Sequence, residues 1–210
     1  MKKIGILGGI GPESTAELYL RIIQKAQTKG VRRNTDYPHI IINSIPAPEL
    51  FSKNPNLKPY IQGFKALEKA GAKKILIACN TAYLLLNTFQ KTTKIPIINL
   101  RREVKKKLTA QKILILGTHN TIKQGLFRFS GKKYIELTDS EIKKLDKAIF
   151  ELNQGKNKKK NELFVINLAK KYSKKADKIL VACTELSVAL KNQKLPIIDT
   201  MDILAEAALR

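Results

Sequence analysis

The chain has no tryptophan, two cysteines and two histidines, and it is short of acid: 17 Asp and Glu stand against 40 Lys and Arg in 210 residues, a formal charge of +23. Cys79 and Cys183 are too few for a disulfide scaffold or a zinc module, and His39 and His119 have no ligand-like spacing, so no metal is expected. A reduced, cytoplasmic protein is the default reading of such cysteine usage. No apolar run approaches the ~18 residues of a membrane span. The stretch after Met1-Lys2-Lys3 imitates a short signal peptide, but Gly5, Gly8, Gly9 and Gly11 interrupt it and no small-residue cleavage site follows. Arginine is also scarce, seven against 33 lysines. Arginine makes the forked contacts to phosphates and bases, so the charge argues for solubility and loose attraction to anions more than for a nucleic-acid partner.

What the chain does have is apolar content, 43% of residues, enough to bury a core. Short Ile- and Leu-rich runs alternate with amphipathic stretches. Ile4–Leu7, Ile40–Asn43, Ile75–Ala78, Ile95–Ile98, Ile113–Leu116, Ile179–Ala182 and Ile197–Ile198 read as strands covered on both faces. Glu13–Lys29, Leu57–Ala70, Ala82–Lys91, Arg102–Leu108, Ser140–Asn153, Asn161–Ser173, Glu185–Lys191 and Ala205–Arg210 read as helices. The alternation predicts an α/β fold with mostly parallel sheets. Lys156-Asn-Lys-Lys-Lys160 reads as a solvated loop between two of the helices.

The sequence also repeats itself. Lys3-Ile-Gly-Ile-Leu-Gly8 is echoed by Lys112-Ile-Leu-Ile-Leu-Gly117, Lys74-Ile-Leu-Ile-Ala-Cys-Asn-Thr81 by Lys178-Ile-Leu-Val-Ala-Cys-Thr184, and Ile95-Pro-Ile-Ile-Asn99 by Leu195-Pro-Ile-Ile-Asp199. The order is the same, with offsets of 109, 104 and 100 residues. This predicts two pseudo-twofold-related lobes, each a four-stranded sheet flanked by helices: residues 1–98 with 199–210, and residues 99–198.

Ligands of open α/β sheets bind beyond the carboxyl ends of strands. Four such ends carry glycine or polar residues: Gly8-Gly9-Ile10-Gly11-Pro12, Cys79-Asn80-Thr81, Gly117-Thr118-His119-Asn120-Thr121 and Cys183-Thr184-Glu185. If the lobes face each other, all four converge on one cleft. The glycine loop lacks the third glycine of a dinucleotide fingerprint, Ser14 standing there, and the strand at Ile40–Asn43 ends in an amide where an acid is needed. It is either a tight turn or a place where backbone approaches a ligand. A lone cysteine at a strand end is usually a small buried hydrophobe. Two at equivalent places suit a thiol pair in which one sulfur removes a proton from carbon and the other delivers a proton to the opposite face. Inert cysteines and a Cys79–Cys183 disulfide are the alternatives. Helix N-termini and the amide and hydroxyl groups of Asn80, Thr81 and Thr184 would support a thiolate and an anionic substrate.

Gly5-Ile-Leu-Gly-Gly-Ile-Gly-Pro12, Ala78-Cys-Asn-Thr-Ala82, Ala182-Cys-Thr-Glu185 and Ile198-Asp-Thr-Met-Asp-Ile-Leu-Ala-Glu206 together resemble the aspartate/glutamate racemase family, most closely its aspartate-racemase-like branch, over nearly the whole chain. The resemblance implies cofactor-independent 1,1-proton transfer at an amino-acid α-carbon, with Cys79 and Cys183 as catalytic thiols and often a homodimer. It points to Gly11, Asn80, Thr81, Thr118, Thr184 and Glu185 as substrate contacts. No pyridoxal, metal or membrane is implied, only a small amino-acid or carboxylic-acid substrate. Three positions depart from the family pattern. Tyr83 stands where a histidine is usual, Ala47-Pro48 replaces an Asp-Arg pair after Ile45-Pro46, and a family lysine falls at Gln154, with Lys156 nearby. A related isomerase or decarboxylase, or a non-catalytic anion or nucleic-acid binder, are the rival readings.

Overall fold

A computed structural model describes residues 3–210. The chain forms two compact units: one runs to Leu100 and takes in Met201–Arg210, and the other is Arg101–Thr200. Both crossings fall at the first residue of a helix.

In the first unit, β1 (Ile4–Gly8) is the central strand, with β2 (Ile40–Ser44) on one side and β3 (Lys74–Ile77) on the other, all parallel. The Ile and Leu side chains of β1 and β3 are buried because α1 (Pro12–Thr28) and α2 (Lys58–Lys69) also pack on this sheet, whereas β2, expected to be covered on both faces, is an edge strand with Ile40 and Ile41 half-buried and Ile42 exposed. Each such side chain contributes about 1.5–3 kcal/mol of hydrophobic stabilisation. Phe89 of α3 (Leu86–Gln90) stacks on Tyr60 at 5.7 Å and tilts against Phe64 at 5.2 Å, closing one end of the core.

In the second unit, β4 (Lys112–Gly117) lies between β5 (Lys133–Ile135) and β6 (Lys178–Ala182), and β7 (Ile197–Asp199) extends the sheet beyond β6. Both sheets therefore share one strand order, and equivalent residues make equivalent bonds. Ile75 N–H donates to Pro96 O at 2.9 Å, as Ile179 N–H does to Pro196 O at 2.9 Å. The expected fourth strand of the first unit, Ile95–Ile98, is reduced to one bridge between Ile75 and Ile97. The chain then enters α4 (Leu100–Lys107), whereas the second unit, with Pro196 at the equivalent place, continues the ladder to Val181 and Asp199. Strand β5 and α5 (His119–Lys123) were not expected from the sequence.

The helices α6 (Asp139–Asn153) and α7 (Lys158–Ser173) pack together as a hairpin. Thr138 and Glu141 form a reciprocal cap at the start of α6, and Glu141 also accepts from Lys171 Nζ at 2.7 Å and Tyr172 Oη at 2.8 Å on α7. The solvated-loop reading of residues 156–160 needs correction. Lys158 to Lys160 form the first turn of α7, although all are exposed. Asn157 takes the left-handed conformation at φ +50°, and the Asn161 amide donates to Glu151 Oε2 at 2.9 Å and Lys156 O at 3.2 Å, which fixes the turn.

Helix α8 (Thr184–Ala189) follows β6, and α9 (Thr200–Ala208) begins five residues earlier than expected. The Thr200 hydroxyl donates to Val181 O at 2.8 Å, anchoring that start. Within the first unit, Arg21 of α1 is 6% exposed and is held by Glu17 at 2.8 Å and by Asp202 of α9 at 3.3 Å. A buried guanidinium needs such partners.

Candidate active site

In both units the chemistry-bearing residues collect at the carboxyl edge of the sheet. Ala78 N–H donates to Leu7 O at 2.9 Å, so the glycine loop after β1 and Cys79 after β3 emerge from neighbouring strands. Gly117 pairs with Ala182, so Thr118 and Cys183 do the same in the second unit.

The glycine loop is built by the fold's own needs. Gly9 has φ +85°, and a Cβ there would lie 2.0 Å from Ile45 O. Gly9 N–H donates to Thr15 Oγ1 at 3.1 Å, and the Thr15 hydroxyl donates to Gly11 O at 3.0 Å. Pro12 then starts α1, with Gly11 as its buried N-cap. The loop is thus a tight strand-to-helix turn, with Gly11 at its end.

Cys79 is half-buried at the end of β3. Asn80 and Thr81 open a short 3-10 helix, Thr81–Leu85, where an α-helix from Ala82 was expected. Asn80 makes no side-chain cap, contrary to expectation. Its side chain is buried, and its Oδ1 has no hydrogen-bond partner among the described residues. A buried acceptor left in that state costs about 1–3 kcal/mol. Tyr83 is buried and its hydroxyl accepts the Ile77 N–H at 3.1 Å. Burial pushes that hydroxyl up; the Ile77 bond opposes the rise and Cys79 adds to it. Tyr83 thus serves the fold as an acceptor for β3. Tyr60, which the sequence did not single out, is fully buried with its hydroxyl donating to Pro48 O. Burial and then the nearby Cys79 push it up as well.

In the second unit Thr118 is the N-cap of α5: its Oγ1 accepts Thr121 N–H at 3.2 Å and its hydroxyl donates to Thr121 Oγ1 at 3.0 Å. His119 is exposed, and its N–H donates to Asp146. Cys183, buried, is the N-cap of α8, with extended backbone at φ −149°. Its Sγ donates to Glu185 Oε2 at 3.0 Å, and the Thr184 hydroxyl donates to the same oxygen at 3.2 Å. Glu185, expected as a substrate contact, accepts a hydrogen bond from the thiol. Cys183 O accepts Ser187 N–H at 3.1 Å, which fixes the cysteine backbone.

Neither cysteine forms a disulfide. No group of His, Cys, Asp and Glu among the described residues is arranged to hold a metal ion. Gln154 caps α6, and Lys156 is exposed on the turn that follows.

Comparison with known proteins places this architecture. Residues 7–208 match the family described as Asp/Glu/hydantoin racemase. The broad-specificity amino-acid racemase RacX of Bacillus subtilis is 30% identical over 98% of this chain and 96% of its own. An aspartate racemase homologue from Pyrococcus horikoshii is 30% identical, with a TM-score of 0.77 over 100% of this chain and 98% of that one. The Picrophilus torridus aspartate racemase shares the fold at 24% identity and a TM-score of 0.86, over 100% of this chain and 93% of its own. Fold and matches define an isomerase of the racemase type. The chain belongs to the Asp/Glu/hydantoin racemase family.

Proposed function

We propose that the protein is an amino-acid racemase that needs no pyridoxal cofactor and uses Cys79 and Cys183 as its acid and base. The observation that carries this reading is the repeat: each unit sets a cysteine after its equivalent strand, at the carboxyl edge of the sheet, followed by polar side chains. One sulfur, as thiolate, takes the α-proton, and the other, as thiol, supplies a proton from the opposite side. The result is the mirror-image stereocentre, and the reading requires that both thiols reach one bound carbon.

The edge groups have roles in this scheme. The Asn80 Oδ1 accepts from the substrate ammonium, which satisfies the buried oxygen. Gly11, Thr81, Thr118 and Thr184 offer backbone and hydroxyl contacts to the carboxylate. Donors aimed at the charge that develops on the carboxylate as the α-proton leaves stabilise the transition state. Aspartate or glutamate is the substrate suggested by the family. The breadth stated for the Bacillus subtilis relative, together with Ala47-Pro48 after Ile45-Pro46, extends the candidates to other amino acids.

The test is incubation of an L-amino-acid panel in heavy water. The reading expects deuterium at the α-carbon and appearance of the D-enantiomer, both abolished in Cys79→Ala and in Cys183→Ala. Exchange that survives both substitutions would remove the thiols from the mechanism.

A further inference from the structure

We propose that Glu185 is the positioning residue that keeps Cys183 as a thiol; this rests on the acid–base reading above. Cys183 Sγ donates to Glu185 Oε2 at 3.0 Å, and Thr184 Oγ1 holds the same oxygen at 3.2 Å. A carboxylate that accepts an S–H stabilises protonated sulfur. A thiolate in the same place would put two negative charges side by side.

The repeat exposes an asymmetry. Two residues beyond the cysteine, the first unit has Thr81 and the second has Glu185. The strand placement is duplicated and the carboxylate is not. The Tyr60 and Tyr83 hydroxyls both lie near Cys79.

Several carboxylates on the elements packed against Cys183 in its own unit bond other groups. Asp199 of β7 accepts the Ser187 hydroxyl at 2.7 Å, and Asp146 of α6 accepts the His119 N–H at 2.9 Å. Glu141 bonds Lys171 and Tyr172, while Glu151 bonds Asn157 and Asn161. Glu162 of α7 is half-exposed, and the lysines of α6, α7 and β6 are exposed. Glu185 has a hydrogen bond that reaches the sulfur.

The proton inventory follows. The substrate α-proton passes to the Cys79 sulfur as the Cys183 proton goes to the other face of the carbon. Cys79 is left as thiol and Cys183 as thiolate. That thiolate lies against the Glu185 carboxylate, so repulsion favours its reprotonation from water, while Cys79 returns its proton to solvent.

The experiment uses the full chain with one thiol removed. In Cys79→Ala, ultraviolet thiolate absorbance against pH reports Cys183 alone. Adding Glu185→Gln should lower the titration midpoint by about one pH unit or more. Adding Glu185→Asp instead, which keeps a carboxylate, should hold the midpoint near that of Cys79→Ala. An unchanged or raised midpoint in Glu185→Gln, with a native circular dichroism spectrum, overturns the proposal. Racemisation retained by Cys183→Ala would instead overturn the acid–base reading and leave this titration interpretable, so the two failures are distinct.

Discussion

Ser187 Oγ donates to Asp199 Oδ1 at 2.7 Å and so ties α8, one turn beyond Cys183, to the end of β7. Ser187 is fully buried. A hydrogen bond to a charged group in such a place contributes about 1.5–3 kcal/mol. Ser187→Ala is therefore expected to lower stability by that order, read as a lower urea midpoint at an unchanged slope. A midpoint equal to that of the unsubstituted chain would deny the pair its anchoring role.

Tyr83→Phe separates packing from catalysis. Removing the hydroxyl leaves the buried Ile77 N–H without its acceptor, a cost of about 1–3 kcal/mol. The expected outcome is a less stable protein whose racemisation keeps its pH profile. Lost activity at undiminished stability would return Tyr83 to the chemistry.

Glu141 governs an acid-side transition. Burial pushes its carboxyl up, but bonds from Lys171, the Thr138 N–H, Tyr172 and the Thr138 hydroxyl outweigh that and bring it from the usual 4.5 to about 2. The folded value lies below the unfolded one. Ionised Glu141 therefore stabilises the fold above about pH 4.5, and the contribution is lost as pH falls toward about 2. Glu141→Gln should be less stable than the native chain at neutral pH, with the gap closing across that window in thermal melts. A gap that stays constant into acid would mean that ionisation of Glu141 is not its source.

Strands β1, β3, β4 and β6 are legible in the sequence because strands covered on both faces are continuous Ile and Leu runs, and because the duplicated runs keep their order, although the Ile40–Ile42 run shows the same signal in the more exposed edge strand β2. Lys74-Ile-Leu-Ile and Lys178-Ile-Leu-Val mark β3 and β6, and the cysteines that follow mark the sheet edges. Strand β5 is hidden because Lys133-Tyr-Ile135 is too short to show a period; it is held partly by the Tyr134 hydroxyl, which accepts Phe129 N–H at 2.7 Å and donates to Phe127 O at 3.2 Å. Ile95–Ile98 carries the same Pro-Ile-Ile signal as β7, yet it forms one bridge, so the letters do not distinguish the two. At the sheet edges, residue types point to candidates but not to partners. Nothing in Cys183-Thr184-Glu185 as letters says that the carboxylate bends back to its own thiol, since a side-chain rotamer decides it. The orphaned oxygen of Asn80 is likewise a property of its surroundings.

The inclusion of Met201–Arg210 in the first unit bears on how the protein is made. Those residues leave the ribosome after the whole of the second unit has emerged. Until then the opening half of the polypeptide lacks its last helix, and Arg21 lacks the Asp202 carboxylate. The half that is translated first is thus the one that finishes maturing last, and a nascent chain stalled before Met201 would present an unfinished surface to chaperones.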